Sequence, residues 1–248
     1  MRIIDTTERS LKEITQEVNK AIGSITIKTS LDFSLLDKEK INIQIQRANG
    51  DNVELTNGNV PLKEFILLGT IGDDAIGSDA RLGLPTKATI ELVEDDMSAI
   101  HLYDKDLIRI SLSGLNTTKT YIIDGSEAPI TTDAVIVVER KSMNSEHENM
   151  DFDVKGYDAC VITDKKSIEE INLRFDNGAV VKTNPVELRD LQESLDPIAQ
   201  VKLDGTVVPS FDDLLQLPLK GIVSMNIRKK QGDIVSVLLR HDADLKNY

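Results

Sequence analysis

The chain has 248 residues, enough for one large β domain or two of about 100–130. Aromatic residues make up only 4% and there is no Trp, so platforms for stacking bases or sugars are scarce. A formal net charge of −13 repels a phosphate backbone, which excludes direct nucleic-acid binding over most of the surface; the acidity serves solubility instead.

Residues 1–23 read as an N-terminal amphipathic helix. Thr6 or Thr7 can cap it, Glu8 sits in the first turn, and Leu11, Ile14, Val18 and Ile22 form an apolar stripe ended by Gly23. Such a helix needs a partner: its own domain, a neighbouring subunit or a membrane surface. Its mixed charge and lack of aromatics favour the subunit. From Ser24 onward strand signals dominate. Ser24–Lys28 and Lys40–Gln46 alternate, and a short helix Pro61–Leu68 follows. Gly69–Pro85, rich in Gly and Asp, reads as a long functional or mobile loop. Strands resume at Ala88–Val93, Leu107–Leu112, Lys119–Ile123 and Ala134–Glu139, with a turn at Asn116–Thr118.

The polar stretch Lys141–Asp151 has no apolar periodicity and reads as a domain boundary. Beyond it come strands at Gly156–Thr163, Glu170–Phe175, Ala199–Leu203, Thr206–Val208, Gly221–Arg228 and Asp233–Leu239. A short helix is expected at Ser210–Leu215, a hairpin turn at Lys229–Gly232 and a tail at Arg240–Tyr248.

One unit occurs twice. Lys40–Gln46, Ala48-Asn49-Gly50, Val53–Leu55 and Val60–Leu67 are matched by Glu170–Phe175, Asp176-Asn177-Gly178, Ala179–Lys182 and Asn184–Leu191. Each copy is a strand, a Gly turn, a short strand and a Pro-started helix. Ile41 and Ile171 are 130 positions apart, and Pro61 and Pro185 are 124 apart. That interval is domain-sized, so two similar β-sandwiches in tandem are expected. The expected division is an N-terminal helix over 1–23, a first jelly roll over 24–145 and a second over 150–248.

Few residues point to chemistry. The single cysteine, Cys160, allows no intrachain disulfide and reads as a small buried strand residue. The histidines, His101, His147 and His241, are far apart in sequence, unlike the clustered ligands of a bicupin metal site. The chain contains no Gly-x-Ser-x-Gly, no P-loop pattern and no Gly-x-Gly-x-x-Gly. Asp73, Asp74 and Asp79, the run Glu94-Asp95-Asp96, and Asp151 with Asp153 could each offer oxygens to Ca²⁺, but none has EF-hand spacing. Solvated loop charge is the plainer reading. No catalytic, cofactor-binding or metal residue is therefore assigned. The start of the sequence lacks a basic-then-apolar leader, so synthesis in a reducing cytoplasm is expected, which becomes the host cytoplasm under the resemblance given below.

Two tandem sandwiches, each carrying the strand–Gly-turn–strand–helix unit, resemble the double jelly-roll major capsid proteins of icosahedral, membrane-containing bacteriophages of the corticovirus and finnlakevirus type. The resemblance rests on Ile171–Gly178 with Leu188–Leu191, Val201–Gly205 with Phe211–Leu215, and Ile41–Gly50 with Leu62–Leu67. It implies an all-β, non-enzymatic structural protein of the virion, a homotrimer of pseudo-hexagonal outline tiling a shell around a lipid membrane. The implied partners are its own copies, other capsid proteins such as a penton, and internal membrane proteins or the lipid surface. The alternatives are an adhesion or binding sandwich pair and a bicupin-like enzyme.

Overall fold

Alternation along one strand shows how the sheets are built. Lys40–Gln46 buries Ile41, Ile43 and Ile45 and turns Lys40, Asn42, Gln44 and Gln46 outward. Its antiparallel partner Leu107–Ser113 places Ile108, Ile110 and Leu112 beside them, with Ile43 opposite Ile110. A slip of one residue would expose every one of these side chains, so the register is strongly specified.

The structure is a computed structural model and describes residues 1–72, 75–103, 105–163, 166–195 and 198–247. Each half contributes eight main strands. The first half holds β1 Arg2–Asp5, β2 Glu13–Val18, β3 Ile22–Thr29, β4 Lys40–Gln46, β5 Asn52–Glu54, α1 Leu62–Gly69, β6 Leu84–Glu91, β7 Leu107–Ser113 and β8 Tyr121–Glu127. The second holds β9 Ala134–Met143, β10 Asn149–Asp153, β11 Ala159–Thr163, β12 Ile168–Phe175, β13 Val180–Thr183, α2 Pro185–Leu195, β14 Leu214–Pro218, β15 Ile222–Lys229 and β16 Val235–Asp244.

In the first sandwich the sheets run β1-β8-β3-β6, extended at one edge by Gly77–Asp79, and β2-β7-β4-β5. In the second they run β9-β16-β11-β14 and β10-β15-β12-β13. Adding eight to each label of the first half gives the second, so the two strand orders are identical. That order, with every main pairing antiparallel, is the jelly roll. The unit found twice in the sequence is β4-β5-α1 and β12-β13-α2. Gly50 and Gly178 stand in the two turns at φ +94° and +84° with open space where a Cβ would sit, so backbone hand alone favours glycine there.

Lys229–Gly232 is not a hairpin turn, because β15 and β16, which it joins, lie in different sheets. The structure corrects four further expectations. Residues 1–23 are not a helix: they form β1, β2 and the start of β3. Ile14 and Val18 are four apart, and that spacing shares a face in a strand as well as in a helix. Open places beside β8 and β7 decide the matter, and the β-branched Ile3, Ile4, Ile14, Thr15 and Val18 suit them. Second, the boundary lies earlier than 145–150. Ala134–Met143 pairs with β16 over its whole length and belongs to the second sandwich, so the polar Lys141–Asp151 spans the end of β9, the crossing from one sheet to the other and the start of β10. Third, Ser210–Leu215 is not helical. β14 begins at Leu214 and sets Leu214 and Leu215 on opposite faces, each buried in a different cluster. Fourth, Arg240–Tyr248 is not a tail. β16 runs to Asp244, and Leu245 is buried, its N–H donating to the Asp133 carbonyl; Tyr248 lies outside the described residues. Gly69–Pro85 is in part an edge strand on β6, with Ile76 buried.

Candidate functional site: the seam between sandwiches

Helix α1 is apolar nearly all round, and all of Leu62–Leu68 is buried. A helix buried on every face must sit between two bodies. On one side α1 packs against β4 and β6 of its own sandwich; on the other it packs against β11, β14 and β16 of the second. Glu64 accepts hydrogen bonds from the Thr163 hydroxyl at 3.1 Å and the Ser236 hydroxyl at 3.4 Å. Lys63 Nζ donates to Asp213 Oδ2 at 2.6 Å. Gln216 Nε2 donates to the Leu67 carbonyl at 2.8 Å, and Arg240 donates to the Leu68 carbonyl at 3.3 Å. Backbone bonds join the halves as well: Asn57 N–H to Val138 O and Val138 N–H to Leu55 O, both at 2.8 Å.

The sheet that receives α1 is therefore buried on both faces. Val161, Leu214 and Leu238 join the first sandwich's apolar cluster, while Cys160, Ile162, Leu215 and Leu239 on the same strands form the second core. That explains why β11 and β16 carry unbroken apolar runs instead of alternation. Lys63, Glu64, Thr163, Ser236 and Arg240 make the seam's side-chain bonds, and sequence reading missed them. The available signal was α1 itself, whose Phe-Ile-Leu-Leu run leaves no solvent face.

Burial pushes the Glu64 carboxyl above the usual range, and the Arg140 charge with the two hydroxyls offsets this only in part. A carboxyl raised in the folded state binds more protons there than in the unfolded chain. Stability accordingly falls as pH rises from the unfolded value through the folded one. Glu64→Gln is expected to keep both hydroxyl contacts, to raise the melting temperature at pH 7 and, by removing this falling contribution, to make stability climb more steeply with pH on the acid side. Unfolding curves across pH 4–7 test this; an unchanged slope contradicts it.

The residues singled out from sequence are scattered. Cys160 is fully buried and burial raises its thiol far above the usual range, so it is inert. His101 Nδ1 lies 3.1 Å from Asp133 Oδ1 and its ring packs on Tyr103. His241 meets Tyr157 edge-on, and His147 is in the β9–β10 turn. Asp79 pairs with Lys28 at 3.1 Å. Asp95 accepts from Met97 N–H and the Ser98 hydroxyl, which hold its carboxyl below the usual range. Asp151 accepts from Asn226, and Asp153 accepts from Lys155 N–H. Asp96 is exposed, and Asp73 and Asp74 lie outside the described residues. Among the described residues no three His, Cys, Asp or Glu side chains converge to hold a metal ion. A cleft of about 650 Å³ opens at the seam beside Leu68, Tyr157, Asp158 and Arg240. Arg240 is bound there to Asp158 at 2.8 Å, and Tyr157 donates to Glu139 at 2.6 Å. No helix among the described residues is long and apolar enough to cross a membrane.

No protein-family model matches the sequence, and no curated protein matches it. Solved structures do. The chain is similar to the major capsid protein P2 from bacteriophage PM2, with a TM-score of 0.55, 10% identity, and coverage of 98% of this chain and 96% of that one. It is also similar to a chain in the atomic structure of Sulfolobus Turreted Icosahedral Virus, with a TM-score of 0.57, 10% identity, and coverage of 94% and 86%. At that identity the fold is what is shared: this chain is a tandem double jelly roll, as its repeated unit led one to expect, built like those two viral proteins over nearly its whole length.

Proposed function

We propose that this chain is a major capsid subunit, a non-enzymatic protein of the virion. Three copies form a pseudo-hexagonal trimer, and trimers tile an icosahedral phage shell that encloses a lipid membrane. The observation that carries the reading is the pair of sandwiches with identical strand order locked side by side by α1, matched end to end by a bacteriophage major capsid protein. Three such chains supply six similar bodies, which pack as a hexagon. The acidic surface suits a wall that does not grip the genome. Contacts with the membrane, with its proteins and with a penton belong to the same reading. β1 and β2 are committed to the sheets, so any lipid contact falls to other surfaces than an N-terminal helix.

The test is native mass spectrometry with negative-stain imaging of the purified chain. Particles of three chains with a six-sided outline are expected. A single chain at every concentration would remove the basis for this reading.

A further inference from the structure

We infer that α2 docks on the outer face of the first sandwich of a second copy, repeating between chains the seam that α1 makes within one. This rests on the proposed trimer and names its contact surface.

The internal duplication is the template. α1 and α2 occupy the same place: α1 packs on β4 and β6, and α2 packs on the equivalent β12 and β14. Aligned from their first residues, Leu62 matches Pro185 and Phe65 matches Leu188, and all four are buried in their own sandwich. The residues of α1 that face the second sandwich are Lys63, Glu64, Leu67 and Leu68. Their equivalents in α2 are Val186, Glu187, Asp190 and Leu191, and all four are exposed. Val186 is 63% exposed and Leu191 50%, against 7% for Lys63 and 0% for Leu68. One helix is covered and its copy is bare at the same four places. A surface of this kind marks an interaction site.

The receiving face is duplicated too. Aligning β8 and β16 on their first residues, Tyr121 and Val235, carries Thr163 onto Lys28, Leu214 onto Lys87, Gln216 onto Thr89 and Arg140 onto Arg2 through the strand registers. Within the chain, Leu67 and Leu214 belong to one apolar cluster at the seam. Their equivalents on the unpaired surfaces are Asp190 and Lys87. An apolar pair is thus replaced by an opposite-charge pair, which fixes orientation and discourages wrong partners. Lys87 is the cation this face leaves for a partner, because Lys28 is paired with Asp79 and Asp124 and Arg2 with Asp5 and Asp124; Glu187, whose Oε2 accepts from the Thr183 hydroxyl and Asn184 N–H, caps its own helix. A cleft of about 670 Å³ lies on that face, lined in part by Gly77, Ser78, Lys87, Thr89 and Glu91.

Each chain offers one bare helix and one sheet face open along β6, where Lys87 and Thr89 are exposed, a head-to-tail arrangement that closes when three chains meet. The occupant is another copy because only a copy presents both halves of the template.

Cross-linking tests this. Asp190 and Thr89 are both exposed, and their equivalents Leu67 and Gln216 are in direct contact at 2.8 Å. Cys160 is buried and does not compete. Under oxidation the Asp190→Cys/Thr89→Cys variant is expected to give a ladder of one, two and three chains that stops at three. Mixing the two single variants should give a two-chain product, and each alone should stay at one chain. Leu191→Asp should shift the native mass from three chains to one. If the unsubstituted chain is a trimer and no ladder forms, the surface is wrong while the shell reading stands. A ladder that runs past three, or a bond formed only within one chain, also overturns the inference. If the unsubstituted chain stays single and no ladder forms, both fall.

Discussion

Phe65→Ala is expected to cost about 4 kcal/mol of unfolding free energy, whereas Leu188→Ala, at the equivalent place in α2, costs about 2 kcal/mol. Phe65 is 3% exposed in a cluster that draws on both sandwiches. The sheets on either side of α1 cannot close over the void without breaking the bonds of Glu64, Gln216 and Arg240 across the seam. Leu188 is nearly as buried but belongs to the second core alone, on a helix whose outer face is bare. That site can collapse, so its loss falls at the low end of the range. Denaturant unfolding followed by circular dichroism, at concentrations below assembly, measures both. Equal losses would mean that α1 is not the piece that joins the halves.

Gly114→Ala is expected to cost about 3 kcal/mol, and Gly178→Ala only about 1 kcal/mol. Both glycines have positive φ, +69° and +84°. The left-handed penalty is therefore common to both. Space separates them. A Cβ at Gly114 would lie 2.2 Å from the Lys38 carbonyl oxygen and 3.0 Å from its carbon, whereas at Gly178 nothing lies within 4 Å. The obstruction at Gly114 is backbone, next to the β4–β7 pairing of Lys40 with Ser113, and it cannot swing aside. In a chain of this size the melting temperature should fall by about 6–12 °C for Gly114→Ala and by about 2–4 °C for Gly178→Ala. Matching shifts would show that the close approach is absent in solution.

The proposed assembly surface was partly legible in the residues. Pro61–Leu67 and Asn184–Leu191 could be recognised as copies, and the first is visibly more apolar than the second. That contrast is the difference between a helix with two neighbours and a helix with one. Its meaning required the structure, because it depends on which strands lie opposite. Lys28, Lys87 and Thr89 fall on one face only through the registers of β3, β6 and β8.

The sequence by itself determined the all-β class, the aliphatic cores, the Gly turns at 50 and 178 and the doubling of the β4-β5-α1 unit, since each is written in residues close together in the chain. Only the tertiary structure decided the fate of residues 1–23 and the place where one sandwich gives way to the next. A spacing of four residues serves helix and strand alike, so the empty edges beside β7 and β8 had to choose. Likewise Ala134–Met143 carries no mark of which sheet will take it; its ten-residue pairing with β16, about a hundred positions away in sequence, assigns it to the second sandwich.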